Sequence, residues 1–421
     1  MQFKHLKIIA TASVLMSSSA AWSIPFGSFD TRSMAMGGTG VAVGSPDAAP
    51  LFNPALLSVA EPKNKFAIVI PTVGIRVADP DDLRSGIDTT QTALTNLDSS
   101  ITTLTNTPSS GNATAVANNI RSVSTQLTNL SNKPITADVG LATVVAVPGK
   151  SLGAAFYANG TVTAGGVFSY TDSSTLTSLA SDADTCAANL ASAACTTVKN
   201  FTTSTLTSGV HFKGVQLGEA GFALSHEFQI QNHNVAFGIT PKIVKAKLFD
   251  TVVKVSDSNQ SNVSAADNTA EYNTFNFDLG VAKAYENGWR TGFVIKNVIP
   301  QNLEFRRAQV STGEMLTLKP QARIGVSHTT SWSTVAMDLD LTRNDPAGLE
   351  QATQYLALGG ELNAWDWAQL RAGYRVDMVN SARSVASVGL GLAPFGVAHI
   401  DLAVAGNANE IGASFQFGVH F

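Results

Sequence analysis

Charge is scarce in this chain of 421 residues: Asp, Glu, Lys and Arg together make up 14%, against about 25% in ordinary soluble domains. The net charge of −4 leaves no basic footprint for nucleic acid, so no such partner is expected. Long apolar runs are missing as well. Past the N-terminus, no segment reaches the roughly 18 apolar residues that a spanning helix needs, which excludes helical membrane spans. The only cysteines are Cys186 and Cys195, too few for a cysteine-built zinc site. In an exported protein they either close a small disulfide loop or remain two thiols on a surface loop. Enzyme signatures are also lacking. There is no H-E-x-x-H, and His226-Glu227 has no second His at the required spacing. The sequence therefore predicts no enzyme, no cofactor and no metal.

What is present begins with a secretory signal over residues 1–23. Lys4, His5 and Lys7 are basic, Ile8 to Met16 is mostly apolar, and Ala21-Trp22-Ser23 offers small residues for cleavage before Ile24. Residues 24–62 then lack the period of either a helix or a strand. Their centre, Arg32 to Ser58, is Gly- and Ala-rich, and Arg32 and Asp47 are its only charged residues. Pro46, Pro50 and Pro54 forbid a long helix. Such a segment is compact only inside something larger. Gly38-Thr39-Gly40 with Gly44 lacks the spacing of a phosphate loop.

Residues 63–421 follow, with a first strand at 65–77, and from Ala137 onward the period is two. In Trp367–Met378, Ala368, Leu370, Ala372, Tyr374, Val376 and Met378 share one face, and Gln369, Arg371, Gly373, Arg375 and Asp377 share the other. About fourteen such segments recur, two of them spanning 289–304 and 315–328. The pattern predicts an all-β fold, a transmembrane antiparallel barrel with apolar residues toward lipid and polar ones toward the lumen. The even count puts both termini on the periplasmic side of a Gram-negative outer membrane. The final strand ends on Phe421, a terminal aromatic of the kind read by the barrel assembly machinery. Two insertions interrupt the pattern and fall on the extracellular side by parity. In 79–135, Ile87, Leu94, Leu97, Ile101 and Leu104, then Val116, Ile120, Val123, Leu127 and Leu130, form two apolar seams broken at Pro108. They predict an antiparallel helical hairpin, either a lid or partner-docking element or a passive insertion. The second insertion, 171–203, carries the cysteine pair.

Facing assignments place Lys319, Arg323, Asp338, Asp340, Glu361, Arg371, Arg375, Asp377, His399 and Asp401 on the lumen wall. There they either guide a solute and hold the plug or pair across strands and stiffen the wall. Within the plug, Leu51, Phe52, Leu56 and Leu57 beside Asn53 form a small apolar pocket or simply pack. In the third strand, Asn159-Gly160 and Gly165-Gly166 mark either a kink or simply a tight bend of the barrel.

The run Met36-Gly37-Gly38-Thr39-Gly40-Val41-Ala42, then Asp47-Ala48-Ala49 and Phe52-Asn53-Pro54-Ala55, resembles the N-terminal hatch of FadL-type transporters of hydrophobic compounds. It also resembles the start of PorV-type secretion barrels. The remainder resembles the group named for the conjugal transfer protein TraF. The residues carrying that likeness are Asp79-Pro80, Gly165-Gly166, Lys296-Asn297-Val298-Ile299-Pro300-Gln301, Pro320-Gln321-Ala322-Arg323, Gln354-Tyr355-Leu356-Ala357-Leu358-Gly359, the run Trp367 to Arg375, and Pro394-Phe395-Gly396. The resemblance implies a fourteen-stranded barrel with a lumenal hatch in which Arg32, Gly38, Gly40, Asp47, Leu51, Phe52, Asn53, Pro54 and Ala55 would meet ligand or wall. The third-strand glycines would then mark a lateral exit. Two functions stay open. One is uptake of long-chain fatty acids, alkanes or similar hydrophobic small molecules. The other is a non-transporting assembly or surface barrel linked to conjugation or secretion, with a protein partner at the hairpin. Outer-membrane lipid and the assembly machinery are partners in either case.

Overall fold

A computed structural model describes residues 29–59, 66–256, 267–344, 352–363, 367–393 and 396–421. The expected signal peptide lies outside them. Three short helices come first: α1 (Thr31–Ala35), α2 (Ala49–Phe52) and α3 (Leu56–Val59). β1 (Ala67–Ala78) opens the wall and is followed by α4 (Leu83–Asn106) and α5 (Ser110–Leu130). β2 (Pro134–Val147) and β3 (Gly153–Ser169) precede α6 (Ser173–Ala188) and α7 (Ala193–Asn200). Then come β4 (Gly209–Ile230), β5 (His233–Lys254), β6 (Thr269–Ala284) and β7 (Trp289–Lys296). The chain continues through β8 (Gln301–Arg307), β9 (Val310–Leu318), β10 (Gln321–Thr329), β11 (Ser333–Asp340) and β12 (Tyr355–Asn363). It ends with β13 (Ala368–Asp377), β14 (Val385–Leu392), β15 (Ala398–Gly406) and β16 (Glu410–His420).

The expected fourteen-stranded antiparallel barrel closes as β1–β7 and β10–β16, with β1 paired to β16. Closure pairs every strand on both sides, as a wall in lipid requires. Alternation sets which face meets lipid. Ile243 is 62% and Ile411 69% exposed on the outside, whereas Lys242 and Gln416 beside them in β5 and β16 are buried inside. An outward Lys or Arg at mid-depth would cost roughly 2–4 kcal/mol, so the register is strongly held. Trp289, Trp332, Trp367, Tyr285 and Phe421 project outward around the end that carries the termini. They form an aromatic girdle of the kind found at a lipid–water boundary.

Two expected strands are shorter than their sequence pattern. β7 stops at Lys296 and β10 starts at Gln321, and the residues between them form the separate β8–β9 ribbon. Pro300 and Pro320 have no N–H to give a continuing ladder. The ribbon turns its apolar side inward. Leu303, Phe305, Leu316 and Leu318 pack on Val215, Leu217, Val244, Ala246 and Leu248 of the β4–β5 wall. Arg307 Nη2 lies 2.6 Å from Asp250 Oδ1, fastening the ribbon's tip.

The two insertions fold as one helical cluster. Leu97, Ile101, Leu104, Val116, Ile120, Val123 and Leu127 of α4 and α5 share a core with Leu176, Leu179 and Val198 of α6 and α7. Pro108 ends α4 because the residue before a proline disfavours the helical region. Ser109 restarts the chain by accepting the Asn112 N–H at 3.1 Å. Threonine hydroxyls bond back within α4, as Thr102 Oγ1 does to Asp98 O at 2.9 Å. Such bonds offset the poor helix propensity of these residues only weakly, so the apolar seam carries the hairpin. A disulfide joins Cys186 to Cys195 and ties α6 to α7. Asp172 anchors the cluster's base by accepting the backbone N–H groups of Thr207 and Ser208 at 2.9 and 2.6 Å. Burial works to raise the Asp172 carboxyl, but the hydrogen bonds from Ser208 and Thr207 outweigh it and hold it below its ordinary range.

Candidate functional site

Residues 29–59 occupy the lumen. Their fold is set by short-range chemistry. Asp30 caps α1 by accepting the Ser33 N–H at 2.7 Å, as N-cap aspartates do. Burial pushes the Asp30 carboxyl up to about 6, the Ser33 N–H opposing and nearby Asp47 and Asp401 adding to the rise. Asn53 holds the Asn53-Pro54-Ala55 turn. Its Oδ1 accepts the Ala55 N–H at 3.1 Å, and its Nδ2 donates to Val41 O at 3.0 Å and to Val281 O of β6 at 3.1 Å. The tripeptide thus closes the segment on itself and fastens it to the wall.

Several of the expected charged wall residues hold this segment, and others pair with those that do. Arg32 makes a two-point pair with Glu361, Nε to Oε2 at 2.8 Å and Nη2 to Oε1 at 2.9 Å. Its Nη1 donates to Val43 O at 2.7 Å. Glu361 also accepts from Arg371 Nε at 2.7 Å, and Arg371 pairs in turn with Asp401. Arg371 faces Glu361 directly across the β12–β13 ladder. To reach Asp401 on β15 it passes over Gly391, where any Cβ would crowd both side chains. Asp338 accepts the backbone N–H groups of Gly40 and Val41 at 2.8 and 2.9 Å. Arg323 pairs with Asp340, its cross-strand neighbour, and reaches Gly38 O at 3.3 Å. Asp377 is buried at the end of β13 and accepts the Val379 N–H at 2.9 Å. Lys319 departs from the expected inward position. It is exposed and lies before β10, because the wall resumes only after Pro320.

Backbone proximity completes the seat. Lumen-facing glycines of the wall form a slot. A Cβ on Gly280 would collide with Asn53 Oδ1, one on Gly292 with Val41 O, and one on Gly373 with the Gly37 N. Gly37 itself has φ +71° and lies against Leu358 O and Tyr374 N, so a side chain there is excluded twice over. Sequence reasoning missed this slot. Its signal was available as glycine at inward positions of β5–β7, β10 and β12–β14. Substituting Gly373→Ala should displace the hatch, since the added methyl meets backbone that cannot rotate away. The expected result is faster protease cleavage within residues 29–59, by about tenfold, in a barrel of unchanged heat-modifiable mobility; wild-type cleavage would contradict the slot.

The apolar hatch residues form no pocket. Leu51, Phe52, Leu56 and Leu57 are fully packed with Ala142, Val144, Tyr157, Ala223, Ala236 and Ala282 and fill the terminus-proximal lumen. Lys296 Nζ donates to Leu51 O at 2.8 Å there. A second buried group, absent from the sequence reading, lies nearby: Lys242 Nζ is 2.9 Å from both Glu219 Oε1 and Asp278 Oδ1.

Space remains on the other face of the hatch. A chamber of about 150 Å³ is floored by Phe29, Ser33, Met34, Gly37 and Gly38 and walled by Arg76, Asp138, Arg323, Asp340, Tyr355, Arg375, Arg383 and Glu410, among others. Arg76 pairs with Asp138 at 2.5 Å and Glu410 at 2.9 Å. Arg375 lies over the Tyr355 ring, 4.4 Å from its centre. The chamber is thus mixed, with aromatic and aliphatic side chains beside fixed guanidinium groups, rather than a long apolar tunnel.

The third strand offers no opening. β3 pairs without interruption on both sides through Asn159, Gly160, Gly165 and Gly166. Asn159 is buried toward the lumen. These glycines sit in regular ladder positions, so the expected kink is absent. The wall's register shift lies instead in β1, between Val69 and Thr72, against both neighbours.

The family profile described as "F plasmid transfer operon, TraF, protein" matches residues 50–340. Among solved structures, the chain is similar to a TodX deltaS2S3 mutant monoaromatic hydrocarbon channel, with TM-score 0.53 and 13% identity over 93% of this chain and 98% of that one. It is also similar to the Ralstonia pickettii toluene transporter TbuX, with TM-score 0.51 and 12% identity over the same shares. These likenesses concern the fold. No curated protein matches the sequence significantly.

Proposed function

The chain belongs to the family of the F plasmid transfer operon TraF protein, and from that premise and the geometry of the lumen we propose that it is an outer-membrane channel for small hydrophobic molecules bearing a polar or anionic group. The observation that carries this reading is the chamber: about 150 Å³, with Arg375 stacked on Tyr355 above the floor formed by the hatch. A cavity of about 150 Å³ is the size that accepts benzene. The guanidinium groups offer two-point recognition of a carboxylate. A long acyl chain would have to extend beyond this chamber, so small ring compounds are favoured over fatty acids and alkanes. The barrel shares its fold with two channels named for monoaromatic hydrocarbons and toluene, which supports the same class.

In this reading the terminus-bearing end faces the periplasm and the helical cluster faces outward. Solute enters beside the cluster, rests in the chamber and leaves when the hatch shifts, through the lumen rather than through β3. The alternative of a docking barrel gains little from the cluster itself. Its apolar seams face one another, and among its described residues Leu190 is the one large apolar side chain left exposed. Reconstituted proteoliposomes should take up benzoate or toluene faster than protein-free vesicles, with Arg375→Ala slowing benzoate several-fold and leaving toluene little changed. Equal uptake with and without the protein for all such solutes would end the transport reading.

A further inference from the structure

Where the hatch meets the two closing strands, three ligand-type side chains converge that no latch described above uses. Asp47 comes from the hatch, His399 from β15 and His420 from the end of β16. Asp47 Oδ2 lies 3.1 Å from His420 Nε2 and 3.6 Å from His399 Nε2, and the two imidazole rings are 4.4 Å apart. One ligand atom from each residue falls within 4.8 Å of the others. Asp47 is only 2% exposed. Asp47 Oδ1 and His399 Nδ1 are buried without a hydrogen-bond partner. Native interiors leave few such groups, so this cluster is short of polar partners.

We propose that Asp47, His399 and His420 bind a first-row transition-metal ion, Zn²⁺ foremost, that pins the hatch to the seam of the barrel. Two imidazoles and one carboxylate are a donor set for zinc rather than for Mg²⁺ or Ca²⁺, which take oxygen ligands. Bonds of about 2.0–2.2 Å in a tetrahedron set ligand atoms roughly 3.3 Å apart, and the observed 3.1 and 3.6 Å bracket that spacing. The fourth position falls to water. The cluster is also shaped for its histidines. Gly418 pairs with His399 across the β15–β16 ladder, and a Cβ on Gly418 would collide with the His399 ring. Asp401 Oδ2 lies 3.7 Å from His399 Nε2 and adds negative charge beside the site. No local sequence motif could announce this site, because its ligands lie at positions 47, 399 and 420.

The test uses the full chain in detergent, stripped with EDTA and titrated with Zn²⁺ alone by calorimetry, then with Co²⁺ followed by absorption. One Zn²⁺ per chain is expected, with cobalt d–d bands typical of nitrogen and oxygen ligands. His399→Ala and His420→Ala should weaken binding by more than about 100-fold, and Gly418→Ala, which removes no ligand, by about 10–100-fold. Bound Zn²⁺ should slow protease cleavage of the hatch. Wild-type protein that binds no stoichiometric Zn²⁺, or that shows no cobalt bands, overturns the proposal without any variant. Binding that persists undiminished in both histidine variants overturns it as well. Heat-modifiable mobility certifies that each variant is a folded barrel.

Discussion

Replacing Glu361 with Ala should unlatch the hatch and turn a closed barrel into a conducting one. The carboxylate is held between Arg32 of the hatch and Arg371 of the wall, and Arg371 depends in turn on Asp401. All three wall residues are nearly buried. Removing one partner of a buried pair costs about 3–5 kcal/mol, because the remaining charge keeps its desolvation penalty. Here the two guanidinium groups left behind also repel one another. A loss of that size raises the undocked hatch population by roughly 10²-fold to a few thousandfold. Single-channel recordings in planar bilayers should show larger and more frequent openings for Glu361→Ala. Glu361→Gln, which keeps one acceptor oxygen, should fall between. Channels as quiet as wild type would mean that the hatch is held elsewhere, with the Asp338 contacts to Gly40 and Val41 the next to remove.

The second large effect concerns the wall. Lys242 is fully buried and bonds Glu219 and Asp278 on the neighbouring strands β4 and β6. Asp278 also accepts the Asn297 N–H at 2.8 Å, at the point where the chain leaves the wall for the β8–β9 ribbon. Lys242→Met conserves length and removes the cation bonded to both carboxylates. Two acidic groups are then left in a buried pocket, and a loss of about 3–5 kcal/mol in barrel stability is expected. Urea unfolding in lipid, followed by tryptophan fluorescence, reads that loss. The triple variant with Glu219→Gln and Asp278→Asn should recover most of it. Its failure to do so would show that Lys242 acts through packing rather than charge.

Much of this architecture was legible because lipid and lumen impose opposite polarity at a period of two. Leu370 and Tyr374 outward and Arg371 and Asp377 inward could be assigned from Trp367–Met378 alone, whereas the expectation that wall charges pair across strands became Arg323–Asp340 and Glu361–Arg371 only once register was fixed. Period does not report what an apolar face touches. Leu303, Phe305, Leu316 and Leu318 alternate like wall residues, yet they meet the lumen surface of β4 and β5. The same blindness hid Lys242, Glu219 and Asp278, whose strands read as ordinary dyads. Gly160 and Gly165-Gly166 illustrate the opposite error. Glycine in a strand signals a kink only when the ladder shifts, and ladder register is a property of three strands at once. The hatch was recognisable by its lack of period and by Asn53-Pro54-Ala55. Its glycine-lined seat was not, since the partners of Gly37 and Val41 lie hundreds of residues away.

The pairing of Ala67–Ala78 with Glu410–His420 also dictates an order of construction. A wall whose first and last strands are neighbours cannot shut until the C-terminal residues have arrived. The hatch lies upstream of the first strand and touches β6, β12, β13 and β14, all made later. It therefore has to wait for those strands and be seated as the sheet curls, before the ring is sealed. A hatch with the wrong shape would obstruct that last zipping step. Such variants would then accumulate as unclosed intermediates during biogenesis, and steady-state abundance in the membrane would report a fault of the plug as faithfully as any leak.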